Sequence, residues 1–516
     1  MNENAPAPGR QSPLAMDGAT FRAHGHRLVD QLAELLEAIP QGPVTVDQSP
    51  SAVCHSLNLT GPLPETGTDA GVLLESTARA LFAHSLFNAH PRFFGYITAP
   101  PAPIGVLGDF LAAALNANAG AWVLSPAATE IERQTVRWIA ELVGCSPESG
   151  GLLVSGGNMA NLVCFWAARA AAPGWNVREE GVAARNGRQL LAYASAETHT
   201  WIQKAADLSG IGTSAVRWIP TGPDLRIDLT ALRARLDADT AAGGVPFIVV
   251  GTAGSVSTGA VDPLVELAAL CRERQIWFHV DGAYGGFAAC VPDAPGDLRA
   301  LAEADSVAVD PHKWLYAPLE AGCALVRDPE GLRNAFAYHP PYYHFEETVT
   351  NYVDYGPQNS RGFRALKVWL ALRQAGAAGY RQMITGDIAL SRALAEGVRA
   401  SEELELVTQG LSISTFRFVP QELRARTAES SVGEYLDRLN RQLLERLQRE
   451  GEVFVSNAVV RGRFVLRACI VNFHTDVGDV EEVPSIVTRV GRSVHSLLRE
   501  EGVEAGGAAA GPPQSG

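Results

Sequence analysis

The chain has 516 residues, of which 47% are hydrophobic and 19% are charged, and its formal net charge is −14. At about 100 to 200 residues per domain, this length favours two to four structural units and excludes both a small disulfide-stapled module and a wholly disordered chain. The acidic balance has the wrong sign for a protein whose main partner is a phosphate backbone, so we expect no nucleic-acid partner.

The sequence also bears on membranes, redox state and metals. It starts without a basic and apolar leader and has no run of about 18 apolar residues, so we expect no membrane partner. Its seven cysteines include no CxxC pair, and their odd number and scattered positions predict reduced thiols. Neither cysteine nor histidine spacing fits a zinc site, so no metal is expected. These features predict a cytoplasmic protein.

The N-terminal part of the chain is predicted to be helical after a short tail. Residues 1–14 and 505–516 are rich in Pro, Gly and Ala and have little to bury, so both are predicted to be disordered. Apolar residues recur at helical spacing from Phe21 to Ile39, and a Pro/Gly cluster directly after them ends that helix. We therefore assign residues 15–95 to an N-terminal helical segment.

Short apolar runs alternate with amphipathic stretches in the middle of the chain. This pattern is typical of βαβ units around a buried, mostly parallel sheet. We expect an α/β fold in which helices cover both faces of one seven-stranded sheet, within a large domain at 96–390. The predicted strands are GLLVS (151–155), LLAYAS (190–195), AVRWIP (215–220), FIVVGTA (247–253), IWFHVD (276–281), SVAVD (306–310) and GCALV (322–326).

The last part of the chain has a different order of elements. A strand at 412–419 is followed by a leucine-faced helix, strands at 453–456 and 464–473, and a final helix. This order predicts a separate, smaller α+β domain over residues 391–504.

The strongest chemical signal is DPHKW at 310–314, directly after a predicted strand. Lys313 would leave the sheet near the carboxyl ends of the strands, where open α/β sheets hold ligands. Desolvation beside Trp314 would disfavour the ammonium form, and a neutral amine can form an imine with an aldehyde. An ordinary surface lysine is the alternative, because most lysines are exposed.

Three further features follow other predicted strands. Asp281 ends a buried strand, where a carboxylate requires a partner such as a protonated ring nitrogen, although a helix N-cap is the alternative. The turn at 155–158, Ser-Gly-Gly-Asn, leads into a helix whose backbone amides suit a phosphate, unless it is only a tight turn. His199 also opens a helix, either as a functional group or as a core residue.

Together these features place four candidate groups at one edge of one sheet. A nicotinamide oxidoreductase would share the alternating pattern, but it requires GxGxxG after the first strand, and SGGNMA does not supply this motif. A non-catalytic scaffold is disfavoured because the lysine, the aspartate and the histidine occur together.

Taken in order, four motifs resemble the pyridoxal-phosphate-dependent group II amino-acid decarboxylases. They are SGGNMANL (155–162), SAETHTWIQKAA (195–206), HVDGAYGG (279–286) and DPHKWLYAP (310–318). The chain is similar over nearly its whole length, and within the family it resembles the aromatic L-amino-acid decarboxylases and their glutamate-decarboxylase relatives. The resemblance implies the aspartate-aminotransferase-like fold type I. It also implies a homodimer with shared active sites and an N-terminal segment that wraps around the partner.

The resemblance also implies the cofactor, pyridoxal 5′-phosphate, and the residues that bind it. Lys313 would form the internal Schiff base, and Asp281 would pair with the pyridine nitrogen, so that the carbanion left by loss of CO2 is delocalised into a quinonoid. The remaining implied contacts are with the ring faces, the phosphate and the substrate carboxylate: His199, Ala283, Gly157, Asn158, His312 and Ser255. Of these, His199 and His312 are also expected to be catalytic.

The segment 342–361 reads as a loop, and NYVDYGPQNSRGFR aligns without a gap to the family's mobile catalytic loop. Tyr352 falls on the tyrosine that resembles the proton donor, although simple packing is the alternative. Relatives with phenylalanine at that position tend toward oxidative deamination to an aldehyde. A tyrosine therefore favours simple decarboxylation.

The substrate-pocket residues depart from the aromatic decarboxylase pattern. Tyr96 matches an aromatic wall, but Asn118 and Gly120 stand where those enzymes carry bulky apolar residues from the partner subunit. No basic residue is assigned to a distal carboxylate, since Arg92 reads equally as a surface residue. We therefore expect decarboxylation of an aromatic or large apolar L-amino acid to the amine and CO2. An acidic-amino-acid decarboxylase and an aldehyde synthase are the alternatives.

Overall fold

The computed structural model describes residues 12–172, 174–182, 188–339 and 348–503. Most of the two predicted tails (1–11 and 505–516) and part of the predicted loop (342–347) lie outside the described residues. None of the helices in the described ranges is long and apolar enough to cross a membrane.

The larger sheet contains seven strands, in the order β1-β7-β6-β5-β4-β2-β3. Strand β7 is antiparallel to both of its neighbours, and the other adjacent pairs are parallel. All seven predicted strands are present, with bounds shifted by two residues at most. They are β1 (Gly150–Val154), β2 (Leu190–Ser195), β3 (Val216–Ile219), β4 (Val245–Thr252), β5 (Trp277–Asp281), β6 (Ser306–Val309) and β7 (Gly322–Val326).

Helices lie on both faces of this sheet, as the predicted α/β class requires. In chain order, the α-helices of the described residues, including those outside this sheet, are α1 (Gly18–Ala38), α2 (Pro50–Ser56), α3 (Ala70–His84), α4 (Pro103–Leu115), α5 (Pro126–Leu142), α6 (Gly157–Ala170), α7 (Val177–Glu180), α8 (Trp201–Leu208), α9 (Leu229–Ala241), α10 (Leu264–Arg274), α11 (Pro311–Trp314), α12 (Pro329–Phe336), α13 (Ala365–Ala400), α14 (Ser430–Glu450) and α15 (Val477–Glu500).

Strand β1 shows how the layers are built. Successive residues of a strand face opposite sides of a sheet. Leu152 packs in a cluster with Val163 of α6, whereas the backbone of Gly151 lies against Val136 of α5. Because both faces are covered, the strands can be apolar throughout, which explains why they were visible as continuous apolar runs.

The smaller sheet has four antiparallel strands in the order β10-β11-β9-β8. Their bounds are β8 (Leu404–Gly410), β9 (Ile413–Phe418), β10 (Ser456–Val460) and β11 (Arg463–Cys469). Leucines of α14 and valines of α15 fill its core. This arrangement agrees with the predicted α+β character, while the domain boundaries themselves stay a prediction.

In this region one strand prediction was wrong and one strand was missed. The run at 453–456 overlaps β10 by one residue only, because Phe454 pairs with the N-terminal segment instead. Its N–H donates to the carbonyl of Arg92 (3.1 Å), and its own carbonyl accepts from Phe94 (2.7 Å). Strand β8 was not predicted because most of its residues are only half-buried, so that the segment lacks a continuous apolar run.

A buried ion pair ties the segment before α13 to the larger sheet. The Arg361 guanidinium donates to both carboxylate oxygens of Glu132 on α5 and to the carbonyl of Leu153 (2.7 Å). Glu132 also accepts from the Leu153 amide (2.8 Å). Both charged side chains are almost completely buried, so each depends on the other for compensation.

We predict that Glu132→Gln destabilises the protein by about 3 to 5 kcal/mol, because Arg361 would be left as an uncompensated buried charge. Glu130→Gln on the same helix breaks an exposed pair with Arg133 and is the matched control, for which we expect a loss below about 1 kcal/mol. Denaturant unfolding of the two variants measures both values. Equal losses would show that the buried pair has no special role.

Candidate active site

The predicted strand-end residues meet at one cavity of about 360 Å³. They reach it from the carboxyl ends of β1, β2, β5 and β6, the edge where ligands bind in open α/β sheets. Seven of the predicted site residues line this cavity: Gly157, Asn158, His199, Asp281, Ala283, His312 and Lys313.

Lys313 lies on α11, the short helix that follows β6. Its Nζ is 2.9 Å from Oδ2 of Asp310, the residue between strand and helix. Asp310 is buried, and its second oxygen, Oδ1, has no hydrogen-bond partner in the part of the chain that the structure describes. A buried acceptor of this kind is costly unless a ligand completes it. Asp310 was inside a quoted motif, but no role was predicted for it.

Asp281 is held at the end of β5 by two N–H donors. Trp201 Nε1 donates to Oδ2 (2.7 Å), and the Ala283 amide donates to Oδ1 (3.1 Å). These bonds fix the carboxylate at the cavity wall, where it can accept a further proton donor such as a ring nitrogen. Trp201 was missed at the sequence level because it lies 80 residues from Asp281 and no local pattern links the two.

The turn after β1 forms a cradle that depends on two glycines. Gly156 has φ +91°, a conformation that favours glycine. A Cβ on Gly157 would lie 2.5 Å from Asp310 Oδ2. Helix α6 starts at Gly157, and no side chain among the described residues caps it. Its first backbone amides and the positive end of its dipole are therefore available to an anion such as a phosphate.

Burial lowers the pKa of His199 more than the nearby Asp281 carboxylate raises it. The pKa of His312 is also lowered by burial, and its Nδ1 lies 2.7 Å from the Ala321 carbonyl, to which it donates. Both imidazoles are consequently favoured in the neutral form at neutral pH. A neutral ring can contact an aromatic cofactor without the cost of desolvating a charge.

Five predicted site residues do not line this cavity. The Ser255 hydroxyl lies 2.9 Å from that of Thr258, although its neighbours Gly254 and Val256 reach the cavity. Tyr96 is exposed, and its ring lies 6.2 Å from that of Phe454 in a tilted arrangement. Asn118, Gly120 and Tyr352 form a separate group described next.

Hydrogen bonds from backbone amides hold Asn118, Gly120 and the 351–361 segment together. Asn118 Oδ1 accepts from the amides of Gly120 and Arg361 (both 3.1 Å), and Val353 donates to the Gly120 carbonyl (2.9 Å). The Tyr352 ring is buried, with the Arg361 guanidinium 4.7 Å from its centre. This position does not place Tyr352 at the cavity of its own chain, and its role as proton donor stays a prediction.

The sheet order, the strand-end lysine and aspartate, and the glycine cradle define a fold type I enzyme that uses pyridoxal phosphate. The family model described as "Pyridoxal-dependent decarboxylase conserved domain" matches residues 58–418. The chain belongs to this family of decarboxylases. The predicted family, fold type, enzyme class and cofactor are thereby confirmed.

Proteins with similar sequences and structures agree with this assignment. An aromatic-L-amino-acid decarboxylase of Bacillus atrophaeus is 31% identical over 91% of this chain and 95% of its own length. A phenylacetaldehyde synthase of Petunia hybrida is 30% identical over 92% of this chain and 94% of its own. A crystal structure of Oryza sativa TDC with PLP and tryptamine superposes with a TM-score of 0.85 at 29% identity, covering 94% and 99% of the two chains.

The residues present fit the cofactor. The Lys313 amine suits its aldehyde, the Asp281 carboxylate suits its ring nitrogen, and the start of α6 suits its phosphate. The unpartnered Oδ1 of Asp310 is a further acceptor within the same cavity.

We predict that borohydride treatment attaches pyridoxal phosphate covalently to Lys313 and that Lys313→Ala abolishes this adduct, because the variant lacks the amine. Peptide mass spectrometry after digestion locates the modified residue. Lys204→Ala, on α8 and outside the cavity lining, is the control and should retain the adduct. Modification at a lysine other than Lys313 in the wild-type protein would contradict the assignment.

Proposed function

We propose that the protein decarboxylates an aromatic L-amino acid to its amine and CO2. The observation that carries the proposal is the charge of the cavity. Lys313 is its only lysine or arginine among the described lining residues, whereas four carboxylates line it: Glu197, Asp281, Asp310 and Glu320. Lys313 is committed to the cofactor, so no lysine or arginine of the described lining remains to bind an anionic side chain. The names of the relatives point the same way.

This charge pattern argues against an acidic substrate. Recognition of a distal carboxylate calls for a guanidinium or ammonium group in reach. Arg92, the residue considered for that role, is paired with Glu482 instead. The pKa of Glu197 is raised by its burial, and an acidic substrate group beside it would be further disfavoured.

The chain's own residues supply the conditions for the reaction. Pyridoxal phosphate, when bound, accepts the electron pair that remains on the substrate α-carbon after CO2 leaves. Asp281 would keep a proton on the ring nitrogen, which makes the ring a better electron acceptor. Trp201 and the Ala283 amide hold that carboxylate in place. His199 and His312, both favoured as neutral rings, would contact the cofactor ring and the phosphate side respectively.

The outcome of the reaction depends on whether the α-carbon receives a proton, which gives the amine, or is oxidised by O2, which gives the aldehyde and peroxide. A phenylacetaldehyde synthase is among the relatives, so an aldehyde product is the second candidate. For Tyr352 to donate the proton in its own chain, it would have to leave the buried contact with Arg361. Within a dimer it would reach the site from the partner side, together with Asn118 and Gly120.

We predict that, in a panel of the common L-amino acids, the aromatic ones give CO2 and amine in a ratio near one, with glutamate and aspartate at background. Gas release, amine chromatography and peroxide detection on the same samples separate the candidates. Aldehyde and peroxide in place of amine would establish the synthase. Turnover of glutamate would show that a cation from outside the described cavity lining binds the second carboxylate.

We infer that the working unit is a homodimer, because the N-terminal helices expose apolar side chains. Helix α4 places a glycine face against α13, where Gly108 approaches Lys367. Its other face is open to solvent, with Leu107, Phe110 and Leu111 each more than 50% exposed. Considering only the described part of the chain, α1 has no buried residue at all. Exposed apolar patches of this kind mark interaction sites.

A charged double substitution on α4 tests this inference. We predict that Leu107→Glu with Phe110→Glu halves the mass measured by sedimentation equilibrium, because burying two carboxylates in an apolar interface is unfavourable. Val459→Glu changes an equally exposed residue on the smaller sheet and should leave the mass unchanged. A monomeric wild-type protein would refute the dimer.

A reducing compartment such as the cytoplasm is also proposed. All seven cysteines lie among the described residues and none forms a disulfide. Burial raises the pKa of Cys145 and Cys164 to about 12, so both thiols are held in the unreactive protonated form.

A further inference from the structure

One buried carboxylate, that of Asp387, binds the end of the helix that carries Lys313 and the turn after it. Asp387 lies on α13, more than 70 residues further along the chain. Its Oδ2 accepts from Trp314 Nε1 (2.8 Å) and from the Tyr316 hydroxyl (2.7 Å). The backbone amide of Asn472 also faces this carboxyl group. One side chain of α13 therefore binds the first and third residues after the lysine.

The turn that these bonds hold has an unfavourable backbone conformation. Tyr316 has φ 54°, in the left-handed region that non-glycine residues rarely adopt, and this costs about 1 kcal/mol. Two more contacts hold the same turn: the Tyr380 hydroxyl donates to the Leu315 carbonyl (3.1 Å), and the Ala102 amide donates to the Tyr316 carbonyl (2.8 Å). These hydrogen bonds compensate for the unfavourable backbone conformation, so the turn keeps it.

Asp387 does not line the cavity, but it is connected to the cavity wall through Trp314. Trp314 stacks on Tyr284, with ring centres 5.0 Å apart, and Tyr284 lines the cavity. Asp387 itself is buried, and burial raises its pKa to about 7, with the bonds from Tyr316 and Trp314 acting against that rise. Burying a carboxyl group costs free energy, and here the hydrogen bonds from Trp314 and Tyr316 offset that cost.

We propose that Asp387 is a positioning residue that sets the place of the Lys313 amine in the cavity through Trp314 and Tyr316. It does not touch the reacting atoms. The proposal rests on the cofactor chemistry of the family and is independent of the substrate proposed above.

The test is the rate at which Lys313 captures pyridoxal phosphate in the full-length protein. The cofactor is removed, added back, and the adduct at Lys313 is trapped with borohydride at timed intervals and counted by mass spectrometry. We expect Asp387→Leu to slow capture by about 10- to 100-fold, as small displacements of a reacting group do. Asp387→Asn keeps an acceptor oxygen and should restore most of the rate.

Two more variants keep the result interpretable. Tyr316→Phe removes the hydroxyl donor to Asp387 but keeps the bond from Trp314. It should therefore slow capture less than Asp387→Leu does. Ser391→Ala, one turn further along α13, removes the buried bond between the Ser391 and Ser414 hydroxyls (3.0 Å) and is the control for lost stability alone. It should lower the melting temperature and leave the capture rate within about twofold.

The outcomes separate positioning from stability. If Asp387→Leu, or Tyr316→Phe should the leucine variant fail to fold, captures the cofactor at the wild-type rate, the proposal is overturned. Equal slowing in Ser391→Ala would overturn it too, since the effect would then follow from stability. If the wild-type protein captures the cofactor at Lys313 but releases no CO2 from aromatic amino acids, that result would count against the proposed function and not against this role.

Discussion

The carboxyl ends of parallel strands must lie at the same edge of the sheet, and this constraint brings the reactive groups together. Register pairs Thr252 of β4 with Asp281 of β5, and Asp281 in turn with Ala308 of β6, two residues before Asp310. The carboxylate for the ring nitrogen and the turn that carries Lys313 are neighbours because of backbone hydrogen bonds, whatever their separation along the chain. The glycine cradle at the end of β1 lies at the same edge, because β7 stands between β1 and β6 and is antiparallel to both, so that β1 and β6 run in the same direction.

The second level of organisation consists of side chains that fix those groups. Trp201 orients Asp281, and Asp387 supports the turn beyond Lys313. The smaller sheet contributes as well, since the Tyr284 hydroxyl bonds to Ser412 next to β9. A cavity-lining residue of the larger domain is therefore held by the smaller sheet. The turn that follows Lys313 is held by Asp387 of α13.

The sequence was sufficient for the sheet and for the groups at its edge. Buried parallel strands are apolar on both faces, so they appear as continuous runs, and polar residues directly after them stand out. It was insufficient where a contact joins distant segments. Trp201 with Asp281 and Trp314 with Asp387 are separated by 80 and 73 residues, and nothing near either residue signals its partner. The strand predicted at 453–456 failed for the same reason, because its partner is residues 92–94.

That last contact has a consequence for how the chain is made. Phe94 and Phe454 are joined through their backbones although 360 residues separate them. At ribosomal rates of about 5 to 20 residues per second, the N-terminal segment waits about 20 to 70 s for its partner to be synthesised. During that interval its apolar residues are without their final neighbours. The N-terminal segment therefore reaches its final packing only after nearly all of the chain has been synthesised.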